Sequence, residues 1–93
     1  MCVEYLAIVA FTQAGWEVFH NASPDGPADL VVWDGENTYL IDTKKTKKYV
    51  NKTGGIYYRK QESLFVEGVH YLGHDGNEFV WLSEPPEALS NAI

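Results

Sequence analysis

Apolar side chains fill nearly every position of residues 2–14, with Glu4, Thr12 and Gln13 the exceptions, and no Gly or Pro interrupts them before Gly15. A largely apolar stretch of that length free of Gly and Pro, closed by a glycine, predicts a buried helix. Its two apolar sides, Leu6-Val9 and Ile8-Phe11, exceed what one sheet face covers, so part of it is expected to pack on another subunit. After Gly15 the pattern shortens. Residues 16–20, 30–33 and 38–41 are runs rich in β-branched and aromatic side chains, which predict three strands. Ser23-Pro24-Asp25-Gly26-Pro27 carries turn chemistry between the first two, and Asp34-Gly35-Glu36-Asn37 is a hairpin signal between the second and third. A loop hinged at Gly54-Gly55 leads to residues 57–67, where Tyr57, Leu64 and Phe65 are apolar and Gly68 follows; a second helix is expected there. Residues 69–73 and 78–82 flank His74-Asp75-Gly76-Asn77 and predict a last strand pair. The predicted order is αβββαββ, an α/β fold.

Composition bounds this picture. With 93 residues, 45% hydrophobic and 14% aromatic, the chain can build one packed core, so a single domain over 1–93 is expected. That size lies near the limit where a second copy commonly supplies extra buried surface, which makes a homodimer the expected state. A single cysteine, Cys2, forms no internal disulfide, and no charged leader with a long apolar stretch opens the sequence. A soluble protein in a reducing, cytoplasmic setting is expected. The longest uninterrupted apolar run, Tyr5 to Phe11, is too short to cross a bilayer, so no membrane partner is expected.

Net charge of -6 argues by itself against a polyanionic partner, yet the charges are segregated. All seven basic residues, Lys44, Lys45, Lys47, Lys48, Lys52, Arg59 and Lys60, fall within seventeen positions that contain no acid. A concentrated positive field on an acidic body steers a phosphate backbone. These residues, Lys44 aside, are therefore the candidate DNA contacts, against the competing reading of a solvated lysine-rich loop. Tyr57 and Tyr58, beside Arg59 and Lys60, are candidates to stack on unpaired bases, with one of the two expected in the core.

If the second and third strands pair symmetrically about their turn, residues whose numbers sum to 71 lie opposite and Asp29 faces Asp42. Directly opposed carboxylates repel, and a cation between them would relieve the repulsion. Alternation sets Lys44 on the face of Asp42 while Thr43 points the other way and leaves its carbonyl near the same edge. Two carboxylates and a carbonyl suit a hard ion, Mg²⁺ with Mn²⁺ as substitute, and a lysine beside them can stabilise a developing phosphorane or orient the attacking water. A three-residue loop would place the two aspartates on opposite faces. The plain alternative is that both are strand-end aspartates satisfying turn amides.

Asp29 followed thirteen positions on by Asp42-Thr43-Lys44 resembles the D...(D/E)-x-K signature of PD-(D/E)XK nucleases, and Gly26-Pro27-Ala28-Asp29-Leu30-Val31-Val32 is similar to that family's turn into its metal-binding strand. The resemblance covers residues 2–73 and implies a restriction-endonuclease-like αβββαβ core with a mixed central sheet flanked by helices, the C-terminal strand being an addition. It also implies metal binding by Asp29, Asp42 and the Thr43 carbonyl, a catalytic ammonium at Lys44, a water-mediated role for Glu4 on the first helix, and an accessory position for Gln61. Ala28 stands where the family has proline, and the Pro-Asp pair proper is Pro24-Asp25. Asp25 is thus an alternative ligand, with Asp29 preferred because it lies at the strand boundary. His20 is a further accessory candidate, although a lone histidine is more often a surface residue. His70 and His74 form no metal-ligand spacing.

These readings converge on a Mg²⁺-dependent DNA endonuclease, a homodimer directed to junctions, flaps or branches because few side chains are available to read bases. Holliday-junction resolvases and virus-type stand-alone nucleases are the similar groups, and the small size suggests a phage or mobile-element source. Alternatives remain open. One is a site-specific endonuclease of homing or restriction type, and the other a catalytically inactive nucleic-acid-binding module of the same fold. A protein-interaction domain using the apolar first helix is a third.

Overall fold

The computed structural model describes residues 2–20, 28–58 and 64–93. In chain order the elements are α1 (Val3–Gln13), β1 (Glu17–His20), β2 (Leu30–Trp33), β3 (Thr38–Lys45), β4 (Lys48–Val50), β5 (Ile56–Tyr58), β6 (Val69–His74), β7 (Phe79–Trp81) and α2 (Glu87–Ala92). Five strands form one sheet in the order β1-β2-β3-β6-β7, while β4 and β5 pair separately. β3 and β6 run parallel and the other neighbours antiparallel, so the fold is α/β with a mixed sheet flanked by helices.

Helix α1 ends where the sequence says it should. The Gly15 N–H donates to the Thr12 carbonyl and the Trp16 N–H to the Phe11 carbonyl, each at 3.0 Å, and Gly15 has φ 91°. This is a Schellman closure, which needs a residue tolerant of positive φ. Its accompanying apolar contact is Trp16 on Phe11, with ring centroids 5.6 Å apart. Ala7 and Phe11 then pack on Leu30, Val32, Ile41 and Leu72 of the sheet and Leu89 of α2, all fully buried. On the opposite face Ala28, Val69, Tyr71 and Leu82 form a smaller cluster, covered by Tyr58, Phe65 and Val80. The outward side of α1 leaves Tyr5 61% and Val9 52% exposed.

The helix predicted over residues 57–67 is corrected in its described part. Tyr57 and Tyr58 belong to β5, which pairs antiparallel with β4, and residues 64–68 contain no α-helix; residues 59–63 lie outside the described residues. Ile56-Tyr57-Tyr58 is a β-branched and aromatic run, and pairing it as Tyr49↔Tyr57 and Val50↔Ile56 rewards the extended backbone more than helical spacing does. Much of the predicted basic loop is accordingly strand, because β3 continues to Lys45 and β4 begins at Lys48. Helix α2, six residues after Pro85-Pro86 with Glu87 in its first turn, was not among the predicted elements; it is too short for apolar periodicity to stand out.

Both predicted Asp-Gly turns close hairpins by the same chemistry. Asp34 Oδ1 accepts the N–H groups of Glu36 and Asn37 at 2.8 Å, and Asp75 Oδ1 accepts those of Asn77 and Glu78 at 2.8 and 2.9 Å. Gly35 and Gly76, at φ 103° and 102°, supply the positive φ required at the first central position. The amides of Asn37 and Glu36 hold the Asp34 carboxyl below the usual carboxylate range. Its contribution is therefore present above the unfolded value, near pH 4, and is lost as pH falls through the lower folded value. Asp34→Ala is expected to lower stability at neutral pH and to make the acid-unfolding curve shallower on its low-pH side, as read by circular dichroism.

Candidate functional site

Strands β2 and β3 pair with Leu30 opposite Ile41 and Trp33 opposite Thr38, the symmetric register about the turn. One position before that ladder begins, Asp29 donates its N–H to the Ile41 carbonyl at 2.9 Å, which brings its side chain to the second residue of the Asp42-Thr43-Lys44 run. There the carboxylate is held from two sides. Asp29 Oδ2 accepts both the Thr43 N–H and the Thr43 hydroxyl, each at 2.8 Å. The role expected of Thr43 is through its carbonyl; its amide and hydroxyl add an anchoring role for Asp29, for which the adjacent positions of the motif are the signal.

Asp42 lies beside this pair and opposite Tyr71 of β6. Burial raises its pKa above the usual aspartate range; Lys44 opposes the rise and the Asp29 carboxylate, within hydrogen-bonding reach, reinforces it. The Lys44 ammonium sits 3.0 Å from Asp42 Oδ2 and 5.7 Å from the centre of the Tyr71 ring, so a salt bridge and a ring face both orient it. Asp42 has 17% of its side chain exposed and Lys44 46%, an acid withdrawn from water beside an amine still reaching it.

Alternation sends Ile41, Thr43 and Lys45 to the α1 face and Asp42 and Lys44 to the other. On the α1 face a cleft of about 460 Å³ is lined by Cys2, Val3, Glu4, Asp29, Thr43 and Lys45. Asp29 therefore stands at the strand edge, touching Thr43 and the cleft on one side and Asp42 on the other. Lys45, expected as a DNA contact, is the amine in this cleft, a position legible from alternation after Thr43. Glu4 also lines the cleft, but its Oε1 lies 2.7 Å from His20 Nε2, so these two predicted accessory residues are bonded to each other.

Asp29, Asp42, Thr43 and Lys44 are thus brought together, with Glu4 and Lys45 across the cleft wall. Among the described residues no three His, Cys, Asp or Glu side chains converge as a metal-holding group. A site built on two carboxylates still suits a hard divalent ion, which keeps several waters and takes one or two carboxylates plus substrate oxygens. Lys47 follows in the link to β4, and Lys48 and Lys52 lie on the β4–β5 hairpin. Arg59, Lys60, Gln61 and the alternative ligand Asp25 lie outside the described residues. His74 is a structural residue: buried, with Nδ1 accepting the Gly76 N–H at 3.1 Å and its ring edge-on to Phe79. Among the described residues no helix is long and apolar enough to cross a membrane.

Compared with protein-family models, curated proteins and solved structures, the chain matches none.

Proposed function

We propose that this chain is a divalent-cation-dependent phosphodiesterase of the PD-(D/E)XK type, acting on DNA as a homodimer. The observation that carries the reading is the meeting of Asp29 and Asp42 at the mouth of the β2–β3 hairpin, with the Lys44 ammonium 3.0 Å from Asp42. Two carboxylates so placed repel one another unless a proton or a cation intervenes. Asp29 and Asp42 would hold Mg²⁺ or Mn²⁺, and the bound ion would supply Lewis acidity toward a phosphoryl oxygen and a water of lowered pKa. Asp29 is held in place by its two hydrogen bonds from Thr43. Lys44 offers positive charge to the phosphoryl oxygens as water adds to phosphorus and the leaving oxygen departs, and Lys45 places a second positive charge in the cleft on the α1 face. The restriction-endonuclease-like core fits a mixed sheet whose central β3 carries the motif, although the expected crossover helix is replaced by the β4–β5 hairpin in the described residues. A second copy of the chain would cover the exposed Tyr5 and Val9 of α1.

The test is incubation of linear, flap and four-way-junction DNA with Mg²⁺ or Mn²⁺. The wild type is expected to cut branched DNA, and Lys44→Ala to cut it slower by about 10²–10³, the usual effect of removing one group that stabilises developing charge. Absence of cutting by the wild type in both metals would remove the assignment. A silent nucleic-acid-binding module is the second reading, favoured by the engagement of Glu4 with His20 and the lack of a third converging acid among the described residues. For that module, DNA affinity in Asp42→Ala equals that of the wild type and no divalent ion binds.

A further inference from the structure

We propose that the β4–β5 hairpin is a base-stacking element that docks unpaired nucleotides of the nucleic-acid substrate, with Tyr57 as its platform. The inference rests on the phosphodiesterase reading and adds to it the means by which branched or single-stranded substrate is selected. The hairpin has two unlike faces. On one, Tyr58 packs against the Val69, Tyr71 and Leu82 cluster and donates its hydroxyl to Asp75 Oδ2 at 3.3 Å, fixing the hairpin to the body of the protein. Strand alternation turns the cross-strand pair Tyr49 and Tyr57 to the opposite face, where their rings lie nearly parallel, 18° apart with centroids at 5.4 Å. The Lys47 ammonium lies 5.6 Å from the Tyr49 ring centre. Tyr57 remains 44% exposed, and Val50 and Ile56, nearer the tip, are 65% and 57% exposed.

The turn at the tip is locked. Asn51 Oδ1 accepts the Thr53 N–H, the Thr53 hydroxyl and the Gly55 N–H at 3.0, 2.9 and 2.7 Å, and Gly54 at φ 86° completes the reversal. A hairpin fixed at both ends presents its ring pair at little ordering cost. No acid occurs between Asp42 and Glu62 in the sequence, Lys48 and Lys52 lie on this element, and Lys47 directly precedes it. Its field favours a phosphate backbone, while an aromatic face accepts the π-face of any base. A base within a duplex has both faces covered by its neighbours. Only an unpaired or frayed base reaches Tyr57, which distinguishes branches and flaps from plain duplex.

The experiment measures binding of fluorescent oligo(dT) and of a blunt duplex of the same length, in chelator so that no hydrolysis intervenes. Tyr57→Leu keeps an apolar cross-strand partner for Tyr49 and removes the aromatic face, and Tyr57→Phe keeps that face. Tyr57→Leu is expected to weaken strand binding by about tenfold while duplex binding changes less than about twofold, with Tyr57→Phe near wild type. Equal losses on strand and duplex, no loss on the strand, or a Tyr57→Phe as weak as Tyr57→Leu would each overturn the proposal. Melting curves of both variants report whether the hairpin change reaches the fold. Loss of Tyr57-dependent binding with cleavage intact removes the stacking element alone; Tyr57-dependent strand binding in a protein that cuts nothing removes the phosphodiesterase reading alone.

Discussion

Asp42→Asn is expected to abolish DNA cleavage and at the same time raise the melting temperature. The activity side follows from chemistry: the amide is a neutral, weak ligand and no longer pairs with the Lys44 ammonium 3.0 Å away, so a loss of at least about a hundredfold is expected. The stability side follows from position. Asp42 is withdrawn from water and lies against the Asp29 carboxylate, and these two influences outweigh the pull of Lys44, so its folded pKa is raised. A raised carboxyl pKa means that the folded state takes up a proton more readily than the unfolded chain. The associated stability is present below the unfolded value and is lost as pH rises through the folded value, leaving the ionised group a burden at neutral pH. Asparagine is similar in shape and carries no charge. Thermal unfolding of both proteins near neutral pH in chelator checks the sign, and the difference should shrink in acid as Asp42 becomes protonated. A variant that loses activity and melts lower would mean that the Lys44 salt bridge outweighs the carboxylate repulsion.

Phe11→Ala is expected to be the most damaging single core change, destabilising by about 3–5 kcal/mol. Phe11 is fully buried among Ala7, Leu30, Val32, Ile41, Leu72 and Leu89, and it is also the residue on which Trp16 rests where α1 ends. Truncation therefore leaves a cavity between helix and sheet and removes the apolar contact that accompanies the Schellman closure. For a domain of this size each kcal/mol is worth about 4–8 °C, so a fall of more than about 10 °C in the melting temperature is expected. Phe11→Leu retains most of the apolar volume and should lose far less. If the alanine variant melts within a few degrees of wild type, the α1 face is not the main core.

The parts of this molecule legible in its sequence are those governed by local chemistry. The largely apolar stretch free of Gly and Pro before Gly15 marks α1 and its end, and Asp34-Gly35 and Asp75-Gly76 mark both tight hairpins because an Asp side chain and a positive-φ residue act within four positions. Once the β2–β3 turn is placed, the opposition of Leu30 to Ile41 follows from counting along two strands, one position short of Asp29 and Asp42. The segment after Lys45 was different. Its extended conformation depends on pairing Tyr49 with Tyr57 eight residues away and on anchoring Tyr58 to Asp75 and the Tyr71 cluster, contacts that no periodicity within residues 57–67 encodes. The same limit applied to the site. Asp42, Lys44 and Thr43 could be assigned to faces by alternation, whereas the Tyr71 ring beneath Lys44 and the His20 bond to Glu4 arise from strands and a helix brought together only by the fold.

The central claim is that Asp29 and Asp42 together hold a divalent cation at the hairpin mouth. Calorimetric titration of Mn²⁺ into the wild type, Asp42→Asn and Asp29→Asn tests it without need of a substrate. Saturable binding by the wild type that disappears in both variants, each still folded by circular dichroism, is the predicted result. No uptake by the wild type, or uptake that survives both substitutions, would contradict it.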